Sequence, residues 1–387
     1  MAAESGFQTF TPIAFEPSFD AARVRREIRA FLAEHQAPTD SVARANAWMS
    51  ADPAFSRALG AAGYIGMTWP KQYGGGERQP LERYIVLEEL LAAGAPVGLH
   101  WIADRQSGPL LLRYGTEEQR RRFLPGVAQG EQYFCIGMSE PSAGSDLASV
   151  RTRATPMAGG WMLNGQKIWT THAHRCSVMI ALVRSDPGSA RQEGLTQLLI
   201  DLSTPGVSVR PIIDLAGNHD FNEVYFDDVF VPHSMLVGTE GEGWNQVTAE
   251  LSLERSGPER YLSSLALLLA FIARVGPDPD PISAALIGKL TAELWTLRQM
   301  SMSTAAKLAS GKDPALEAAI VKDLGNTFEQ EMPRAIRAAS PGDFDLAAET
   351  DFTRVLFHLL QVSPSFSLRG GTREILRGII AKGLGLR

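Results

Sequence analysis

The apolar residues of this chain change period twice, and that limits its architecture more than any other feature. From Phe19 to about Gly130 the period is helical: Val24, Ile28, Phe31 and Leu32 share one face, with arginine and glutamate opposite. Residues 81–95 repeat the pattern through Tyr84, Leu87 and Leu91. Between them, residues 69–76 read as a loop, since three successive glycines do not hold a helix. Thr116 is placed to cap a further helix ahead of Glu117 and Glu118. From Glu131 to Pro232 the pattern is that of strands. Residues 177–183 and 195–202 are short continuous apolar runs suited to buried strands. Asn164-Gly165 predicts a hairpin between the apolar residues 161–163 and 168–169. Thr204-Pro205-Gly206 predicts a turn, and Val224, Phe226 and Val229 a last strand stopped by Pro232. From Gly241 onward the helical period returns. Ile287, Leu290, Leu294, Leu297 and Met300 step by three and four, as do Ile320, Leu324 and Phe328. A final helix follows Gly370-Gly371-Thr372 and ends at Gly383 or Gly385. Residues 276–281 and 333–363 read as irregular. The expectation is a mainly α fold with a central β domain: a helical domain over 1–130, a β domain over 131–238 and a helical bundle over 239–387.

With 387 residues, 44% of them apolar, the chain can bury large cores in two or three domains. A net charge of −6 argues against nucleic acid as the partner. Two cysteines, Cys135 and Cys176, do not make a disulfide framework, and no Cys/His group has zinc spacing, so no metal is expected. Residues 1–17 lack a basic stretch followed by an apolar run. The most apolar stretch, 262–275, is too short to span a bilayer and contains Arg274. A soluble cytoplasmic protein is expected.

Two segments carry chemistry. Residues 137–146, Gly-Met-Ser-Glu-Pro-Ser-Ala-Gly-Ser-Asp, form a turn-rich loop of hydroxyls and small residues, able to bring backbone amides close to a polar ligand. Residues 164–171, Asn-Gly-Gln-Lys-Ile-Trp-Thr-Thr, end in an aromatic and two hydroxyls. Either alone also suits an ordinary turn at a sheet edge. Together they resemble the signature of the acyl-CoA dehydrogenase family, and the resemblance extends from the loop at 69–76 to the last helix. It implies an N-terminal helical domain, a β-barrel-like middle domain and a C-terminal four-helix bundle, with FAD as cofactor. It makes Ile136, Met138 and Ser139 flavin contacts, packs Trp169 against the ring, sets Thr171 near N5 and gives Ser145 to the substrate pantetheine.

Glu254 stands out on its helix. Val247, Leu251, Glu254, Pro258, Tyr261 and Leu265 follow steps of three and four, so a carboxylate lies on an apolar stripe. Such a group is either paired with a cation from another element or functional. The ring of Pro258 clashes with the carbonyl of residue 254, so a kink or break is expected there. Most members of the resembled family carry the catalytic base in a Tyr-Glu-Gly-Thr-like turn before the last helix. Here that turn is Arg369-Gly370-Gly371-Thr372, and Gly370 occupies the glutamate position. The isovaleryl-CoA and long-chain types instead use a Leu-Glu-Arg segment, which Leu253-Glu254-Arg255 matches. The resemblance thus assigns the base to Glu254 and leaves the backbone N–H of Gly370 as an oxyanion donor. Arg369, where an aromatic residue often lines the acyl pocket, either pairs with Glu254 or a bundle carboxylate, or meets a polar or acidic group on the acyl chain.

The family's Gln-x-x-Gly-Gly-x-Gly segment and its arginine segment, which reach the ADP half of FAD on a neighbouring subunit, have no match here. The partners implied are an acyl-CoA, an electron-transfer flavoprotein, and either further copies in a dimer or tetramer or a related chain in a heterotetramer. Three other readings stand beside this one: different flavin chemistry on the same fold (oxidase, monooxygenase or desulfinase), a non-catalytic subunit of a heteromeric complex, and an unrelated helical binding module.

Overall fold

The computed structural model describes residues 10, 12–13, 19–35, 38, 40–254, 257–340 and 350–386, with the side chains of 249–254 excepted. Among them the helical, β, helical order holds. Helices α1 (Ala21–Glu34), α2 (Ser41–Ala45), α3 (Pro53–Ala61), α4 (Pro80–Ala92), α5 (Gly108–Tyr114) and α6 (Glu117–Ala128) come first. Strands β1 (Phe134–Gly137), β2 (Arg153–Met157), β3 (Gly160–Thr171), β4 (Val178–Arg184), β5 (Leu195–Asp201), β6 (Val207–Ile212) and β7 (Phe221–Pro232) follow. Helices α7 (Gly243–Glu254), α8 (Leu265–Val275), α9 (Pro281–Ala309), α10 (Ala315–Ala339), α11 (Asp351–Val362) and α12 (Arg373–Gly383) complete the chain. None is long and apolar enough to cross a membrane.

These elements gather into two compact units. The first holds residues 1–50, 79–96 and 254–387; the second holds 51–78 and 97–253. Charge explains why α4 joins the first. Its adjacent pair Glu88 and Glu89 is nearly buried and is met by Arg25 and Arg29 of α1, and Glu88 also takes Arg298 of α9. Buried carboxylates persist only when paired in this way. Beside them the Tyr84 and Tyr261 hydroxyls meet at 2.7 Å, and Tyr84 donates to Ser301 at 2.9 Å.

The second unit contains the sheet, ordered β1-β4-β2-β3-β7-β6, with β5 also paired to β4. β4 is its apolar centre, buried from Val178 to Val183. β5 runs antiparallel along its whole length, while β1 and β2 meet it in parallel at opposite ends. Thr116 caps α6 through a reciprocal box with Gln119. The loop at 69–76 wraps Trp69, which is 1% exposed; a Cβ on Gly75 or Gly108 would collide with it.

Two expectations fail. Asn164-Gly165 is no hairpin: β3 runs through it, and the tight connection lies at 158–159, where Gly159 has φ +85°. The pair instead makes a bulge, with the register against β7 shifting between Leu163 and Gly165. The Asn164 side chain exchanges two hydrogen bonds with Asp228, donating to its carboxylate at 2.9 Å and accepting its N–H at 3.0 Å. Residues 333–363 are not irregular throughout. α10 carries Pro333 inside it and continues to Ala339, and α11 begins at Asp351; residues 341–349 lie outside those described.

Candidate active site

In the second unit, the two motif segments are bound to each other. Ile168 N–H donates to Ser139 O at 2.9 Å. Lys167, fully buried on β3, donates to Met138 O at 3.1 Å and to Glu140 Oε1 at 2.8 Å. Glu140 also accepts the N–H groups of Arg151, at 2.6 Å, and Thr152, at 2.9 Å. Burial pushes the Lys167 ammonium down to about 8 against the pull of Glu140. Burial also acts to raise the Glu140 carboxyl, but the ammonium and the donors around it outweigh that and hold it below its ordinary value. Met138 and Leu147 pack on a cluster of Ala143, Val150, Leu182, Leu195 and Val247. Val247 belongs to α7.

The end of β3 is unusual. Trp169 has φ +59°, a left-handed conformation rare for a bulky residue, within a second register shift between Lys167 and Thr170. The bulge turns the indole outward, so that it is 57% exposed and touches Phe221 only edge-on at 6.0 Å. Thr171, half-buried, is registered with Phe221. Thr170 Oγ1 is buried with no hydrogen-bond partner among the described residues. Ile136 is half-buried on β1, and Ser145 is exposed on the loop. The structure therefore brings Ile136, Met138, Ser139, Trp169 and Thr171 to neighbouring segments of one unit.

In the first unit, the turn at 369–372 is held by α10. Gly370 and Gly371 have φ +65° and +103°, which a side chain there would strain. Lys322 of α10, fully buried, donates to Arg369 O and, at 2.6 Å, to Gly371 O. Thr372 caps α12. The Arg369 guanidinium lies over Trp48 at 3.9 Å and Phe366 at 4.3 Å, pairs with Glu329 at 3.2 Å and donates to Ser263 Oγ at 3.0 Å. Glu329, fully buried on α10, also accepts Ser263 N–H at 2.7 Å. Burial raises its carboxyl above the usual range, although Arg369 and Ser263 pull it back. The bundle carboxylate that Arg369 meets is thus Glu329.

Glu254 ends α7, and Pro258 opens a tight turn before α8, so the expected break is present. The side chain of Glu254 and all of Arg255 lie outside the described residues. Trp48 and Ser263 also line an open cavity of about 660 Å³ within this unit, walled by Ala266, Leu269 and Ala270 of α8 and by Phe352.

Three of these groups had no role in the sequence reading. Glu140 and Lys167 sat inside the motifs, and nothing in their immediate neighbours, Gln166 and Ile168 beside the lysine, marks them as a buried pair. Lys322 belongs to a polar row with Asn326 and Glu329, spaced by four and three on the buried face of α10.

Residues 19–131 match the N-terminal domain of acyl-CoA dehydrogenases, and residues 135–229 match their middle domain. The chain is 34% identical to acyl-CoA dehydrogenase IpdE1 of Mycobacterium tuberculosis over 346 residues, covering 85% of this chain and 86% of that protein. It is 33% identical over 374 residues to acyl-CoA dehydrogenase FadE34 of the same organism, spanning 94% of this chain but only half the length of that relative. Among solved structures, the Tcur3481-Tcur3483 steroid ACAD superposes with a TM-score of 0.84 at 26% identity, covering 96% of this chain and 98% of that one. The ChsE4-ChsE5 complex from Mycobacterium tuberculosis gives 0.81 at 28% identity, covering 97% and 98%. The chain belongs to the acyl-CoA dehydrogenase family, FAD-dependent oxidoreductases acting on CH–CH bonds. Its residues fit the flavin ring in their chemistry: an exposed indole at Trp169, the hydroxyls of Thr170 and Thr171 beside it, the first buried without a partner among the described residues, and a loop bound to the same strand supply apolar and hydrogen-bonding groups together.

Proposed function

We propose that the chain dehydrogenates the Cα–Cβ bond of an acyl-CoA thioester to the trans-2-enoyl-CoA and passes the electrons to an electron-transfer flavoprotein. The observation that carries this reading is the outward-turned Trp169 beside the clamped segment 138–139. Ile136, Met138, Ser139, Trp169 and Thr171 hold the isoalloxazine, and Ser145 meets the pantetheine. When bound, the flavin supplies the acceptor for the hydride from Cβ. Glu254 takes the proton from Cα, and the resulting enolate charge on the thioester oxygen is met by the Gly370 N–H, a donor worth about 3–4 kcal/mol in sites of this kind. Because Glu329 balances its charge, we assign Arg369 to shaping the wall of the acyl pocket.

The cavity beside Trp48 and Ser263 supports a bulky acyl group. Its volume falls within the roughly 300–1,000 Å³ of small-molecule sites, and alanines line much of α8's side of it. The description of one relative as a steroid ACAD agrees with such a group. A second reading, a catalytic chain working within a heteromer, draws support from the two-chain names of two structural relatives. The test of the chemistry is Glu254→Gln. It is expected to keep flavin and acyl-CoA binding while flavin reduction stops; reduction at the wild-type rate would sink the assignment.

A further inference from the structure

We propose that Lys322 is a positioning residue for the oxyanion donor: it aims and polarises the peptide N–H of Gly370. This rests on the proposed role of Gly370 and deepens it. The argument starts from the peptide unit. The carbonyl of Arg369 and the N–H of Gly370 belong to one planar trans amide, so they point in opposite directions. Lys322 donates to that carbonyl and also to the carbonyl of Gly371. Gripping oxygens on both sides of residue 370 fixes the plane between them, and the N–H of Gly370 is thereby aimed away from α10. The grip matters because Gly370 and Gly371, both at positive φ, have no side chain to hold the turn.

The same bond changes the strength of the donor. An ammonium on the carbonyl draws electron density along the amide and makes its N–H a better donor, an effect that grows in a dry environment. Lys322 is fully buried, so its charge is not screened by water. Most family members place a glutamate at residue 370's position; here residue 370 has no side chain, and its precision depends on a neighbour.

The test uses the full-length holoenzyme and the 3-thia analogue of whichever acyl-CoA bleaches the wild-type flavin fastest. Sulfur in place of C3 leaves the α-proton removable but offers no β-hydride, so the pH midpoint of enolate absorption reports how well the site stabilises the enolate without the hydride step, and at a constant base a shift in it reads the oxyanion donors. Lys322→Met is expected to raise that midpoint by about one unit or more, tenfold in the equilibrium. It should also lower kcat by roughly 10- to 100-fold, while the Kd for acyl-CoA changes by less than about threefold. Lys322→Arg, which restores a charged donor, is expected to recover part of both losses, and it serves as the comparison should the Met variant not fold. A midpoint unchanged from wild type in the folded variant overturns the inference. A wild-type flavin that no acyl-CoA bleaches would instead overturn the functional reading beneath it.

Discussion

Arg369 and Lys167 are each half of a buried pair, and removing either leaves its partner charged in a dry place. For Arg369→Ala the orphan is Glu329. Loss of one member of such a pair costs about 3–5 kcal/mol, so the variant is expected to melt well below wild type in a denaturant series at neutral pH. The pH sign follows from the raised carboxyl of Glu329. The folded chain binds that proton more tightly than the unfolded chain. Its contribution to stability is therefore greatest below the ordinary carboxylate range and falls as pH rises through the folded value. The deficit of Arg369→Ala should accordingly be smaller at pH 5 than at pH 8; an equal deficit would show that Glu329 does not feel the loss. For Lys167, the folded value of about 8 lies below the 10.5 of free lysine. Between these values the unfolded chain binds the proton more tightly, so this group's share of stability rises with pH. The clamp on Met138 and Glu140 loosens over the same range. Flavin retention on gel filtration is expected to decline above about pH 8 in the wild type and to be poor at every pH in Lys167→Met. The candidate flavin residues were legible because they sit in two contiguous motifs. Lys167 and Lys322 were not given roles, because what marks them is burial, and burial is not written in the identity of a lysine.

At the scale of elements, periodicity located most helices and strands, and it failed where a local signal served a different purpose. Asn-Gly favours positive φ, which a hairpin turn and a bulge both need; only pairing with β7 decides between them. Pro333 removes one donor from α10, yet packing of a long buried helix outweighs that loss. Two helical glycines separate propensity from packing. Gly288 on α9 is exposed and has open space around it, so Gly288→Ala is expected to stabilise by about 0.5–1 kcal/mol. Gly325 on α10 backs onto Arg260, whose carbonyl oxygen would lie 2.1 Å from an added Cβ. Gly325→Ala should therefore destabilise by about 2 kcal/mol or more, since backbone is in the way. Thermal melts of both variants check the pair, and matching signs would contradict the packing described.

The whole molecule divides differently from its sequence periods. The helical stretch that ends near residue 130 is shared between two compact units, because Glu88, Glu89 and Tyr84 tie α4 to α1, α9 and Tyr261. No local pattern announces that partition, since it depends on charges 60 to 210 residues apart. The class of protein, by contrast, was legible early, as the motifs that touch cofactor in this family are contiguous in sequence. The most direct measurement is a visible absorption spectrum of the purified chain alone, repeated after anaerobic addition of a panel of acyl-CoA thioesters that includes ring-bearing acyl groups. The account predicts a flavin band that bleaches, most completely with a bulky acyl group. A bound flavin that no thioester bleaches would contradict it.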